Sequence, residues 1–91
     1  TSTEVPLPGP AESLRKIGER GRATSAEGLL LRTSLADGDA DIRAAAAWSL
    51  TQVPAVAQSS IADLTKALGD ADHVVRGLAA IALRKQVLPD R

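Results

Sequence analysis

The sequence contains no cysteine, methionine, phenylalanine or tyrosine, and a single tryptophan, Trp48. Without cysteine there are no disulfides and no thiolate metal sites, and the redox compartment stays undetermined. With almost no aromatics, the core has to come from Leu, Ile, Val and many Ala. Alanine lets helices approach closely, but each one removes little apolar area from water. No charge of one sign dominates: 11 basic and 11 acidic residues give a net charge of zero. A general nucleic-acid binder needs a basic stripe to neutralise phosphates, so no nucleic-acid partner is expected. The short basic groups, Arg15, Lys16, Arg20 and Arg22, then Arg84, Lys85 and Arg91, read as solvated surface. Long apolar runs are missing too. The longest uncharged stretch, Ala44 to Ala62, holds Ser49, Thr51, Gln52, Pro54, Gln58, Ser59 and Ser60, too polar for a membrane span. No signal-peptide pattern is visible. The first residue is Thr1, so the chain reads as processed or as a piece of something longer. Localisation stays unknown, between the cytoplasm and export after processing.

What the chain does have is an echo. Leu35-Ala36-Asp37-Gly38-Asp39-Ala40-Asp41-Ile42-Arg43 returns 33 positions later as Leu68-Gly69-Asp70-Ala71-Asp72-His73-Val74-Val75-Arg76. Ala46 and Ala47 fall on Ala79 and Ala80, Leu50 on Leu83, and Leu31 on Leu64. A fixed period of this size is the signature of stacked repeats, in which one unit cannot bury its own apolar faces. A chain of 91 residues is one small domain, marginal in stability when alone.

The local signals divide the chain further. Pro6, Pro8, Gly9 and Pro10 favour an extended arm over residues 1–10. A short helix follows from Ala11 to about Glu19, with Leu14 and Ile17 on one side and Gly18 and Gly21 as C-terminal caps. Thr24-Ser25-Ala26-Glu27 forms a capping box, opening a helix to about Leu35 with Gly28, Leu31 and Leu35 on one face. Gly28 weakens that helix by about 1 kcal/mol in propensity. Asp39 caps a helix from Ala40 to about Thr51, which Pro54 ends. Gln52 to Ser59 reads as a linker. Ser60 opens the next helix, to about Leu68, with Ile61, Leu64 and Leu68 facing inward. Asp72 caps the last, His73 to Val87, with Val75, Ala79, Ala82, Leu83 and Gln86 on one side. Residues 88–91 are a tail, and no segment alternates with period two, so no strands are expected.

These residues resemble HEAT-like repeats of the short kind, the class also found in phycobilisome-lyase-type repeat proteins. The matching positions are Leu31, Leu35, Asp37, Asp39, Ile42, Arg43, Ala46, Ala47 and Leu50, then Leu64, Leu68, Asp70, Asp72, Val75, Arg76, Ala79, Ala80 and Leu83. Leu14 and Ile17 stand 33 before Ala47 and Leu50, so the first helix resembles the end of a preceding second helix. The resemblance implies an all-α fold, a right-handed α-solenoid of about two and a half helix-turn-helix repeats. The repeat domain would span residues 11–87, as a partial repeat 11–22 and repeats 24–53 and 59–87. It also implies that Asp37, Arg43, Asp70 and Arg76 form a structural ladder between repeats, where an enzyme reading would make them acid and clamp.

No catalytic arrangement can be assembled. Asp37-Gly38-Asp39-Ala40-Asp41 mimics the opening of a calcium loop, but the required Gly and Glu positions hold Ile42 and Trp48. An acidic capping turn is the better reading. His73 is the only histidine and is read as a surface residue. No cofactor or metal is expected, and no enzyme.

The informative positions are Trp48 and its equivalent Ile81, commonly polar in the resembled pattern. Val74, Leu78 and Ile81 make a second apolar stripe on the last helix, opposite the core stripe. With Ala45 and Trp48 they form a candidate partner-binding patch. Tryptophan is enriched at binding hot spots. The alternative is self-coverage, by flanking repeats, the Val5–Leu7 arm or the Leu88 tail. The leading expectation is therefore a non-enzymatic module holding a protein partner on its second-helix face. The other readings are an accessory or capping subunit of a larger complex and, more remotely, a lyase-like or nucleic-acid-binding repeat. About three repeats are needed for stability, so a homo-oligomer, a bound partner or a longer parent solenoid is expected.

Overall fold

The computed structural model of the chain describes residues 9–87. They form six helices: α1 (Pro10–Arg20), α2 (Ser25–Ser34), α3 (Ala40–Gln52), α4 (Pro54–Gln58), α5 (Ile61–Ala67) and α6 (His73–Val87). No strand occurs among the described residues. Helix α3 is the hub: it packs against α1, α2, α4 and α6, while α6 also packs against α4 and α5. Helices α1, α3 and α6 thus follow one another as a row, with α2 lying on α3 and α5 on α6.

The boundaries follow from local chemistry. Pro10 starts α1, one residue earlier than expected, because its fixed φ suits the first helical position. The expected arm otherwise lies outside the described residues, as does the tail. Gly21 ends α1 at φ 78°, the left-handed conformation that glycine adopts without strain. At α2 the Thr24 hydroxyl accepts from the Glu27 amide at 3.1 Å, and the Glu27 carboxylate accepts from the Thr24 amide at 3.0 Å. Asp39 accepts from the Asp41 amide at 2.8 Å at the start of α3, and Asp72 from the Val75 amide at 3.1 Å at α6.

Several expectations are corrected. Gly18 is not a cap. It lies buried inside α1 where that helix crosses α3. A Cβ there would stand 2.6 Å from Trp48 Cζ3 and 2.8 Å from Ser49 Cα. The absent side chain is what lets the two helices touch, and the Ser49 hydroxyl donates across the crossing to the Leu14 carbonyl at 2.5 Å. The linker after α3 is also not plain linker. Pro54 ends α3 and occupies the first turn of α4, whose Ala57 is fully buried. Ser60 makes no capping bond to α5. Its hydroxyl donates back to the Val56 carbonyl at 2.7 Å, because α4 puts that acceptor within reach.

The core is aliphatic and alanine-rich. Leu14, Leu31, Leu50, Leu64, Val53 and Val75 are almost completely buried, with Ala46, Ala47, Ala57, Ala79 and Ala82 between them. Ile61 and Leu68, expected inward, are 43% and 42% exposed. Their equivalents Gly28 and Leu35 are buried. Gly28 meets Val56 of α4, and Leu35 lies at the junction with α5 around Asp63, Lys66 and Ala67. Nothing of that kind follows α6 among the described residues.

Candidate functional site

Two surface features stand out. The first is a groove of about 300 Å³ lined by Ala11 and Arg15 of α1, Asp41, Ala44, Ala45 and Trp48 of α3, and Leu78 of α6. It runs along the row of α1, α3 and α6. Trp48 and Leu78 are half-buried. Beyond the groove, Val74 and Ile81 are each 46% exposed. Val74, Leu78 and Ile81 are spaced i, i+4, i+7 on α6, so they make one stripe. Ala45 departs from expectation. It is only 3% exposed, because its short side chain floors the groove beneath the longer Trp48 and Leu78. Trp48 is not free on all sides either: its ring edge rests on Gly18 of α1.

The second feature is the turn between helices, repeated. Arg43 donates from Nε to Asp70 Oδ2 at 2.8 Å and from Nη2 to Asp70 Oδ1 at 3.1 Å. This two-pronged pair joins the turn of one repeat to the second helix of the repeat before it, and both side chains are largely buried. Bidentate arginine–carboxylate pairs fix orientation as well as contributing attraction. The Arg43 Nη1 also donates to the Asp37 carbonyl at 2.8 Å. Asp70 accepts in addition from the Asp72 amide at 2.8 Å, as Asp37 does from the Asp39 amide at 2.9 Å. Among the described residues Arg76 bonds through Nη1 alone, donating to the carbonyls of Asp70 at 2.7 Å and Ala71 at 3.2 Å.

These contacts set the titration behaviour. The Arg43 guanidinium, and then the Asp72 amide, hold the Asp70 carboxyl below its ordinary value. Its hydrogen bonds to the Asp70 carboxylate in turn raise Arg43. Glu27 is lowered by the Thr24 amide first and then by Arg20, with which it forms an ion pair. A further pair, Arg32 to Asp63 at 3.3 Å, links α2 to α5 at the surface. These groups are engaged in holding helices and turns. Among the described residues no three His, Cys, Asp or Glu side chains converge as a metal site would need. No helix among them is long and apolar enough to cross a membrane.

The sequence reading missed one patch. Leu29 and Leu30 are 58% and 45% exposed on α2. The signal was present, since three consecutive leucines cannot share one helix face. Leu29 lines a shallow hollow with Thr24, Gly28, Ala55, Val56 and Ser59, formed by the unexpected α4.

Compared with known proteins, a family model described as HEAT repeats matches residues 10–87. No curated protein and no solved structure matches the chain.

Proposed function

The chain belongs to the HEAT-repeat family, and from that premise we propose that it is a non-enzymatic interaction module that holds a protein partner on its second-helix face. HEAT repeats commonly mediate protein–protein interaction. The row of α1, α3 and α6, with α2 packed on α3 and α5 on α6, supports a solenoid fragment of about two and a half repeats, right-handed as the HEAT resemblance implies. Asp37, Arg43, Asp70 and Arg76 then act as the ladder that sets repeat-to-repeat geometry. The turn and helix pattern around Asp72, Val75 and Arg76 supports the short-repeat class shared with phycobilisome-lyase-type proteins.

The observation that carries the partner face is the α6 stripe. Val74 and Ile81 are nearly half exposed, although each would lose water contact favourably if covered. They flank a groove whose wall is the only aromatic residue of the chain. The partner's apolar side chain would enter between Trp48 and Leu78, with Arg15 and Asp41 as polar rim. Ala45 contributes the floor of that groove.

Exchanging Val74 and Ile81 together for aspartate tests this. Both are exposed, so helicity and melting should stay near those of the parent chain. Proteins captured by the tagged parent should fall away in the double variant, and their binding should shift Trp48 emission. Undiminished capture by the double variant would remove the second-helix face from consideration.

A further inference from the structure

The groove at Trp48 is built by the repeat, and its dimensions select what can lie in it. Asp41, Ala44 and Trp48 on α3 return 33 positions later as Val74, Gly77 and Ile81 on α6. Ala11 and Arg15 on α1 stand 33 before Ala44 and Trp48. Because α3 packs against both α1 and α6, equivalent positions line up across the row. Ala11, Ala44 and Gly77 make a low floor. Arg15, Trp48 and Ile81 make one wall, and Asp41 and Val74 the other. The hollow over α1 and α3 thus continues onto α6 above Gly77, where a Cβ would meet nothing within 4 Å. A glycine there weakens the helix, and no neighbour within the described residues requires it.

Two lengths decide the occupant. Val74 and Ile81 are seven residues apart, about 10.5 Å along the helix axis. A helix with its side chains is about 10–12 Å across and does not enter between them, whereas an extended backbone about 5 Å wide does. The second length is the spacing of the row, since packed helices stand roughly 8–10 Å apart. A β-strand repeats its facing every second residue, about 6.6 Å, and falls out of step with that spacing. A polyproline II chain repeats its facing every third residue, about 9.3 Å, and meets α1, α3 and α6 in turn.

We infer that the groove binds a polyproline II segment of a partner protein carrying an acidic residue, a proline three positions away and an aliphatic residue three further. These meet Arg15, the Trp48 ring and the space over Gly77. Arg15 is exposed at the α1 end and attracts the carboxylate there, while Asp41 repels it from α3 and so fixes the direction. Preformed extended proline segments dock on aromatic-lined grooves at low entropic cost. Val74 and Ile81, each 46% exposed, close around the aliphatic side chain. The proposal rests on the partner face argued above and gives its ligand a chemistry. Other occupants match less well. Residues 88–91 span at most about 14 Å, and Gly77 lies ten residues, about 15 Å of helix, before Val87. Residues 1–8 join the chain at the Arg15 end, and their one acid, Glu4, is six residues before Pro10. Laid along the groove, that acid would reach the apolar walls of α6 and leave Arg15 unmatched. A second copy offers helices among its described residues, too wide for the groove.

The test titrates the full chain with synthetic peptides and follows the emission of Trp48, its single tryptophan. Glu-Pro-Pro-Pro-Pro-Pro-Leu holds the three groups in step with the row, and Glu-Pro-Pro-Pro-Pro-Leu puts its ends out of step. The first should shift the emission saturably and bind roughly tenfold tighter than the second, the scale of one apolar side chain. Lysine in place of the peptide's glutamate should weaken binding several-fold, and Arg15→Glu should reverse that preference. Gly77→Leu should remove binding while the melting temperature stays at or above that of the parent, because its side chain enters open space. Equal affinity for the two lengths, or no shift at millimolar peptide, would overturn the proposal. Loss of protein capture on exchanging Val74 and Ile81 for aspartate would then still support the partner face alone. Val5→Asp with Leu7→Asp should leave peptide affinity unchanged. Tighter binding by that variant would assign the groove to residues 1–8, and emission that moves with protein concentration alone would assign it to a second copy; either result overturns the proposal.

Discussion

Among the described residues, helix α3 has α1 on one side and α6 on the other, whereas α6 has α3 on one side and no further helix of the row on the other. The two helices carry nearly the same pattern of Arg, Ala and Leu. What differs is the neighbour. Ala47 is enclosed and Ala80 is open, and Arg43 holds a carboxylate while Arg76, among the described residues, holds only main-chain oxygens. In a stacked repeat, burial belongs to a position in the stack as much as to a residue. The apolar period of α6 promises a core that the described chain completes on one side only.

The sharpest way to break the comparison is to shorten the matched leucines. Leu50 is 1% exposed within the core, so Leu50→Ala removes transfer energy and leaves a cavity, costing about 2–5 kcal/mol. Leu83 is half-buried and its surroundings can refill with water, so Leu83→Ala should cost about 1 kcal/mol or less. Urea unfolding of both variants measures the difference. Equal losses would mean that α6 is covered in solution as fully as α3.

Next in size are two helical glycines. At Gly18 a methyl group would collide with Ser49 Cα, a main-chain atom that cannot swing aside. Gly18→Ala should destabilise by about 1–3 kcal/mol despite its better helix propensity. At Gly77 a Cβ meets nothing within 4 Å. There Gly77→Ala should stabilise by about 0.5–1 kcal/mol, through lower entropy of the unfolded chain. Thermal melts of the two variants should move in opposite directions. Trp48 emission should shift in the first variant alone, since its ring edge sits on Gly18.

This contrast also marks how far sequence can be read. The period of 33 residues, the caps at Thr24, Asp39 and Asp72, and the core at Leu31, Leu50, Leu64 and Val75 were legible. Each is a local or periodic signal. The role of Gly18 was not legible, because a glycine near a helix end signals a cap unless a crossing helix is known. Helix α4 was hidden because Pro54 reads equally as the stop of α3 and the start of a new turn. Ile61, Leu68 and Ala45 were misplaced for one shared reason. The pattern tells which side of a helix is apolar, and the next helix decides whether that side is covered.

The smallest effect, and the most specific, lies in the turn. Asp70 has a lowered carboxyl in the folded chain, relative to an ordinary value of 3.8. A group depressed on folding contributes stability that is fully present above its unfolded value and is lost as pH falls through its lower folded value. Glu27 acts in the same direction from an ordinary 4.5, so both steepen the loss of stability in acid. Arg43 is raised above an already high value and stays charged throughout, so it adds no slope of its own there. Stability should therefore be flat near neutrality and fall below about pH 4. Arg43→Met removes the main cause of the Asp70 shift and should flatten that fall. Arg76 acts on Asp70 only through weaker charge attraction, its bonds going to main-chain oxygens. Arg76→Met should therefore leave most of the acid slope in place. Unfolding free energies measured from pH 7 down to pH 3 would separate the two arginines. Identical slopes would show that the fork on Asp70 does not govern the turn, and that Arg43 and Arg76 are equivalent despite their different neighbours.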